Sequence, residues 1–361
     1  MEHDKKIKVG ITHGDINGIG YEVLLKALGD TRITELCTPV IYGSAKIANY
    51  YRKGMELPEF KLFQIDSPDS AATDEINIIN VVGEDCKLEP GQPTPNGGKA
   101  ALAALERAVS DLRDGLIDVL VTAPINKKTI HSDDFNFPGH TEYLQDRLGE
   151  GHQAMMIMCA EGLRVALVTI HEPISNVAGS ITSKGITDKL VAFNRSLVED
   201  FGIHGPRIAV LSLNPHAGDG GIIGSEETEI IAPAIEEAMK RKVLAFGPYA
   251  SDGFFGSGNY IKFDGVLAMY HDQGLTPFKV LAGERGVNFT AGLPYVRTSP
   301  DHGTAYDIVG QGKADEQSMR EAIYSAIDIY RNRRREAAAT ANPLRRQSYD
   351  KGNDKLPVEK A

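Results

Sequence analysis

Short apolar runs recur along the whole chain, separated by segments whose apolar residues fall at helical spacing, and this alternation predicts an α/β fold. The runs that read as strands are IKVGIT, TPVIYG, INIINVV, IDVLVTAP, AMMIMCA, RVALVTI, RIAVLSLN, GVLAMY and VNFTAG. The clearest helix lies between residues 96 and 115, where Ala101, Leu102, Leu105, Ala108, Val109 and Leu112 share one face. Segments 181–201, 226–242 and 318–335 read in the same way. With 361 residues, 42% of them hydrophobic, the chain can build one large or two medium domains with real cores. No internal repeat or Gly/Ser/Pro linker divides it, so two lobes sharing a continuous or interleaved sheet fit better than separate beads.

Composition removes several function classes. No run of 18 apolar residues is present, and the polar start MEHDKKIKVG enters a strand directly. The expectation is therefore a cytoplasmic chain without membrane span or signal peptide. Cys37, Cys86 and Cys159 are widely spaced, odd in number and without a CxxC pair, which argues against a disulfide framework and a thiolate zinc site. The formal charge of −10 disfavours nucleic-acid binding. Residues 331–361 differ from the rest in carrying nine Lys/Arg against four Asp/Glu. They read as a helix extension ended by Pro343, then a solvated terminus.

Candidate chemistry follows the strands. His171 in VALVTIHEP, His216 in VLSLNPHAGDGG and His271 in VLAMYHDQG each come just after an apolar run. In open α/β sheets the carboxyl ends of strands border the ligand crevice. Any one of these histidines reads as a hydrogen-bonded loop residue, whereas three imidazoles from three strand ends could hold a divalent metal with positions left for substrate. In PGHTEYL, His140 and Thr141 precede a helix expected to start near Glu142. Thr141 is either the cap of that helix or part of an anion site at its start. Lys279, Asn288 and Arg297 lie among glycine-rich turns downstream of His271, where two cations and an amide suit a phosphate or carboxylate. The loop GDINGIGYEVLLKAL fails as a dinucleotide fingerprint, because the third glycine position falls on Val23.

HTEYL, NPHAGDGG, AMYHDQG, GLPYVRTSPDHGTA and GKAD together resemble the signature stretches of the 4-hydroxythreonine-4-phosphate dehydrogenase family of pyridoxal phosphate biosynthesis, over roughly residues 7–330. The resemblance implies a two-lobed fold like the isocitrate and isopropylmalate dehydrogenases. A first lobe would comprise residues 1–135 with 290–330, a second residues 136–289, and the tail residues 331–361. It also implies a homodimer with a shared active-site cleft. His171, His216 and His271 match the family's metal ligands, with His271 supplied by the neighbouring subunit. Zinc is the first expectation, with cobalt, magnesium or another divalent ion as alternatives.

The same resemblance makes His140, Thr141, Lys279, Asn288 and Arg297 substrate contacts and Asp252, in YASDGFF, the acid/base candidate. DHGTAYDIVGQGKAD looks like the adenosine-binding loop of the β-decarboxylating dehydrogenases, which places His302, Gly303, Thr304, Ala305 and Asp307 near NAD, or NADP as the alternative. His13 stands where the family more often has proline, and it inherits no role. The implied reaction is oxidation and decarboxylation of 4-phosphooxy-L-threonine to 3-amino-2-oxopropyl phosphate. Two other readings stand beside it: a related dehydrogenase of D-threonate or D-erythronate 4-phosphate, and a non-catalytic protein that binds metal and sugar phosphate.

Overall fold

The structure, a computed structural model, describes residues 6–30, 32–55, 57 and 61–343. Its strands are β1 (Ile7–Thr12), β2 (Cys37–Gly43), β3 (Leu62–Gln64), β4 (Ile76–Asn80), β5 (Val119–Thr122), β6 (Met155–Ala160), β7 (Leu163–Leu167), β8 (Arg207–Leu211), β9 (Leu244–Tyr249), β10 (Gly265–Ala268), β11 (Val287–Ala291) and β12 (Arg297–Pro300). They form one twelve-stranded sheet in the order β3-β4-β2-β1-β5-β12-β11-β6-β7-β10-β8-β9. All nine apolar runs are strands in it. β3, β9 and β12 escape the pattern for separate reasons. β3 is three residues long at one edge, β9 contains Gly247-Pro248 at the other, and β12 is the polar sequence RTSP.

From β3 to β12 the strands run parallel, and from β7 to β9 they are parallel again. The pairs β12–β11, β11–β6 and β6–β7 are antiparallel, so the direction reverses between the two parallel blocks. One face of the sheet carries a continuous core built with helices Gly20–Leu28, Ser183–Glu199, Ala232–Lys240 and Gln317–Thr340. The other face carries two cores. Helices Pro95–Arg113 and His140–Leu148 close one of them, and helices Ser251–Gly256 and His271–Ala282 close the other. The gap between these two cores is where polar side chains can reach the middle of the sheet.

Helix Pro95–Arg113 shows how sequence sets such an element. Pro95 occupies the first turn, where no amide partner is needed, and the Thr94 hydroxyl accepts from the Gly97 amide at 3.3 Å. All six apolar residues of the expected stripe are buried. Each large one contributes roughly 1.5–3 kcal/mol, so Leu105→Ala would cost about 2–5 kcal/mol. Gly115, at φ +71, turns the chain away after the helix. The segment expected as one helix at 226–242 is a π-turn, Glu227–Ile231, followed by helix Ala232–Lys240. Helix Gln317–Thr340 runs into the basic segment as expected, and residues 344–361 of the tail lie outside the described residues. Among the described residues Cys37, Cys86 and Cys159 are free thiols, and no helix is long and apolar enough to cross a membrane.

Candidate active site

A cleft of about 290 Å³ opens between the two cores of the second face, and His140, Thr141, His171, Asn288, Arg297, His302 and Gly303 all line it. Strand register explains part of the convergence. Thr290, Met156 and Arg297 sit opposite one another across three strands, as do Asn288, Met158 and Ser299, so all six project from one face. Arg297 is only 3% exposed. Its guanidinium donates to Thr122 Oγ1 from Nε at 3.0 Å and to Thr290 Oγ1 from Nη1 at 3.0 Å. Among the described residues it has no carboxylate in ion-pair range. Burial pushes it down to about 9, which leaves it charged at neutral pH, and Glu142 opposes that shift.

Three further groups face the cleft with polar atoms left over. His140 Nε2, Asn288 Oδ1 and His302 Nε2 are buried without hydrogen-bond partners. An unsatisfied buried polar atom costs roughly 1–3 kcal/mol, so several around one hollow point to a ligand that satisfies them. Burial holds the His140 and His302 imidazoles below their usual range, with Arg297 and Lys127 adding to the effect at His140. The helix at this wall starts at His140 rather than Glu142, and Gly139 is its N-cap. Thr141 is thus a residue of the first turn and not the cap, and the first-turn amides face the cleft region.

The histidine loops follow three adjacent parallel strands, β7, β10 and β8, and therefore leave the sheet at one edge. Hydrogen bonds lock the loop bases together. Thr169 Oγ1 donates to the Met269 carbonyl at 2.8 Å, Gln273 accepts from the Met269 amide at 2.7 Å, and Gln273 Nε2 donates to the Ser212 carbonyl at 2.5 Å. Within one chain the His171 and His271 rings lie 6.1 Å apart between centroids. His271 Nδ1 bonds Asp272 Oδ1 at 2.6 Å, which leaves Nε2 free. An imidazole oriented by a carboxylate in this way is the usual form of a metal ligand.

His216 stands apart. It is exposed in a run of left-handed residues, His216 to Gly220, with φ between 42° and 76°. Such conformations are costly for non-glycine residues and persist only where the surroundings impose them. Here Glu227 accepts from the Leu213 and Asn214 amides at 2.8 and 2.7 Å and fixes the loop base. Among the described residues of one chain, no group of three metal-ligating side chains is assembled.

Besides His216, His271, Thr304, Ala305 and Asp307, two more expected residues lie off the cleft. Lys279 is ion-paired with Asp301 Oδ1 at 3.2 Å, and Asp252 is exposed in the short helix that follows β9. The segment expected to hold NAD is docked on the N-terminal loop. Ile19 donates its amide to the Thr304 carbonyl at 3.0 Å, and Tyr306 donates to the buried Asp15 at 2.8 Å. Ala305 is left-handed, while Asp307 is exposed and its carbonyl accepts from Gln311. The loop GDINGIG is consumed by this packing, and a Cβ on Gly20 would run into the His13 carbonyl. Lys127 and Glu142 also line the cleft and were missed. Lys127 follows IDVLVTAP, and the same strand-end signal that singled out the histidines applies to it.

The family model for the pyridoxal phosphate biosynthetic protein PdxA matches residues 35–326. A 4-hydroxythreonine-4-phosphate dehydrogenase of Bacteroides thetaiotaomicron is 57% identical over 97% of this chain and 96% of its own length. A D-threonate 4-phosphate dehydrogenase of Cupriavidus necator is 39% identical over 89% of this chain and 96% of its own. The crystal structure of 4-hydroxythreonine-4-phosphate dehydrogenase from Klebsiella pneumoniae superposes with a TM-score of 0.79 at 34% identity, covering 91% of this chain and 99% of that one.

Proposed function

The chain belongs to the PdxA family of pyridoxal phosphate biosynthetic proteins, and from that premise we propose that its cleft oxidises and decarboxylates 4-phosphooxy-L-threonine to 3-amino-2-oxopropyl phosphate. The observation that carries this reading is the enclosed Arg297 with no carboxylate partner among the described residues, facing a hollow rimmed by His140, Asn288 and His302. A buried cation in that state favours an anionic ligand strongly. Arg297 and the first turn of helix His140–Leu148 would hold the phosphate, with Asn288 and His140 fixing its orientation. The 57% identity to a 4-hydroxythreonine-4-phosphate dehydrogenase, against 39% to the D-threonate 4-phosphate dehydrogenase of Cupriavidus necator, favours the amino acid over D-threonate or D-erythronate 4-phosphate.

The residues present also fit a divalent metal. His171 and His271 are neighbours, and Asp272 orients one of them. Imidazole donors suit zinc or cobalt better than magnesium. A bound metal would act as a Lewis acid on the substrate oxygen, and NAD would accept the hydride. His302 to Asp307, held by Ile19 and Asp15, would seat the cofactor beside the phosphate site.

Large apolar side chains are exposed on the segments that carry the three histidines. They are Ile174, Ile222, Ile223, Val280 and Leu281, on the segments of His171, His216 and His271. This supports a homodimer that covers these side chains and completes the ligand set. The closeness of His171 and His271 in one chain favours His216, rather than His271, as the imidazole that crosses. Asp252 enters the reaction in this proposal only from the second chain, as proton acceptor. NADH formation from 4-phosphooxy-L-threonine, D-threonate 4-phosphate and D-erythronate 4-phosphate, with and without a chelator, tests the reading. Turnover should be fastest with the amino acid and stop with chelator. A faster sugar acid would reassign the substrate, and absence of NADH from all three would leave the non-catalytic reading.

A further inference from the structure

A phosphate ester carries about −1.5 to −2 charge at neutral pH, more than one guanidinium balances. The cation expected beside Arg297 was Lys279, but its ammonium is engaged by Asp301 at 3.2 Å, away from the cleft. Burial holds the His140 and His302 imidazoles below their usual range, which disfavours their charged forms. The remaining cation on the cleft wall is Lys127, and among the described residues it forms no ion pair or hydrogen bond. Asn126 caps the turn that presents it, accepting from the Lys128 amide at 2.9 Å and the Thr129 amide at 3.3 Å. Lys127 Nζ comes within 3.9 Å, and Glu142 Oε2 within 3.5 Å, of where a Cβ on Gly139 would lie, so the ammonium and that carboxylate share the space beside the first turn of helix His140–Leu148 without forming an ion pair. Lys127 lines the same cleft as His140 and His171, and its charge adds to the lowering of both imidazoles.

We propose that Lys127 is the second anion-binding cation of the cleft, facing Arg297 across the helix start and selecting phosphorylated over unphosphorylated substrates. This rests on the phosphate reading of the cleft given above. A lysine is a mobile point charge on a flexible stem, whereas Arg297 is a fixed fork, so the two would divide the work of attracting and orienting the anion.

The test uses the full-length chain with zinc and NAD, and inorganic phosphate as the probe. Lys127→Ala should weaken phosphate binding measured by calorimetry about tenfold or more, and raise KM for the phosphorylated substrate by a similar factor, with a smaller loss in kcat. Lys127→Arg should recover most of the affinity. Lys127 is exposed and supports no described partner, so the alanine variant has no structural reason to unfold. Arg297→Ala, run in parallel, separates the two ways of failing. If it loses phosphate while Lys127→Ala stays within twofold of wild type, the role of Lys127 is overturned and the phosphate reading stands. If both variants bind phosphate as wild type does, the phosphate reading falls and takes the role of Lys127 with it.

Discussion

At Arg297 the structure encloses a guanidinium that receives only threonine hydroxyls in exchange for its water. Hydroxyl dipoles return part of the lost hydration, so the ligand-free cleft stores an electrostatic cost that a bound anion relieves. Arg297→Met should therefore leave the melting temperature of the ligand-free protein unchanged or higher, while KM rises at least about tenfold and the stabilisation by added phosphate disappears. A melting temperature several degrees lower, with phosphate still protective, would contradict this. His13 has the opposite kind of burial. It is fully enclosed and stacked on Tyr21 at 5.1 Å. Burial pushes its pKa down to about 4, and the Gly14 backbone offsets this only partly. The unfolded chain therefore binds a proton near pH 6.5 that the folded chain refuses until about pH 4. The contribution is present above 6.5 and lost as pH falls toward 4, up to about 3 kcal/mol in all. His13→Phe keeps a stacked ring without the titration, so chemical denaturation of the variant should show a shallower loss of stability between these pH values. Parallel curves for the two proteins would show that His13 does not titrate in this way.

Among the elements, the segment after β12 depends on one carboxylate of helix Gly20–Leu28. Glu22 is fully buried and accepts from the Gly310 amide at 3.3 Å, the Ala314 amide at 3.1 Å and Lys26 at 3.2 Å, while Lys26 also donates to the Gly312 and Ala314 carbonyls. Removing the carboxylate leaves two amides without their acceptor, at about 1–3 kcal/mol each. Glu22→Ala should speed hydrogen exchange at Gly310 and Ala314 and raise KM for NAD several-fold, with a smaller effect on KM for substrate. Unchanged exchange at both amides would show that the loop is held elsewhere. Such elements mark the limit of what periodicity reveals. The apolar strands and the stripe of helix Pro95–Arg113 are legible because burial on a sheet or a helix face demands apolar residues at fixed spacing. β12 is central yet reads RTSP, because its side chains line the cleft and their partners, such as Thr122, are distant in sequence. Asn288 and Arg297 could be singled out as residues, but their meeting depends on the antiparallel register of β11 and β12, which no local pattern encodes. The same holds for Lys279, whose pairing with Asp301 is a tertiary contact.

In the whole molecule, the proposed ligand set and the exposed apolar side chains both bear on the proposed homodimer. One chain brings His171 and His271 together but leaves His216 on an exposed, left-handed loop, and large apolar side chains on the same three segments stand in solvent. A second copy related by a twofold axis would bury those side chains and bring its own His216 to each pair, whereas a monomer would leave both features unexplained. The proposed arrangement sets which inactive variants can rescue each other. In a mixed dimer of His171→Ala and His216→Ala, one site combines both defects. The other takes His171 and His271 from one chain and His216 from its partner, and is intact. Random exchange makes half the dimers mixed with one working site each, so up to about one quarter of wild-type activity and metal content should return. A mixture of His171→Ala with His271→Ala should recover nothing, because both residues belong to the same chain's pair and every site lacks one of them. Recovery by the second mixture and not the first would mean that His271 is the residue that crosses. Failure of both, with subunit exchange demonstrated by mass, would mean that each chain closes its own site.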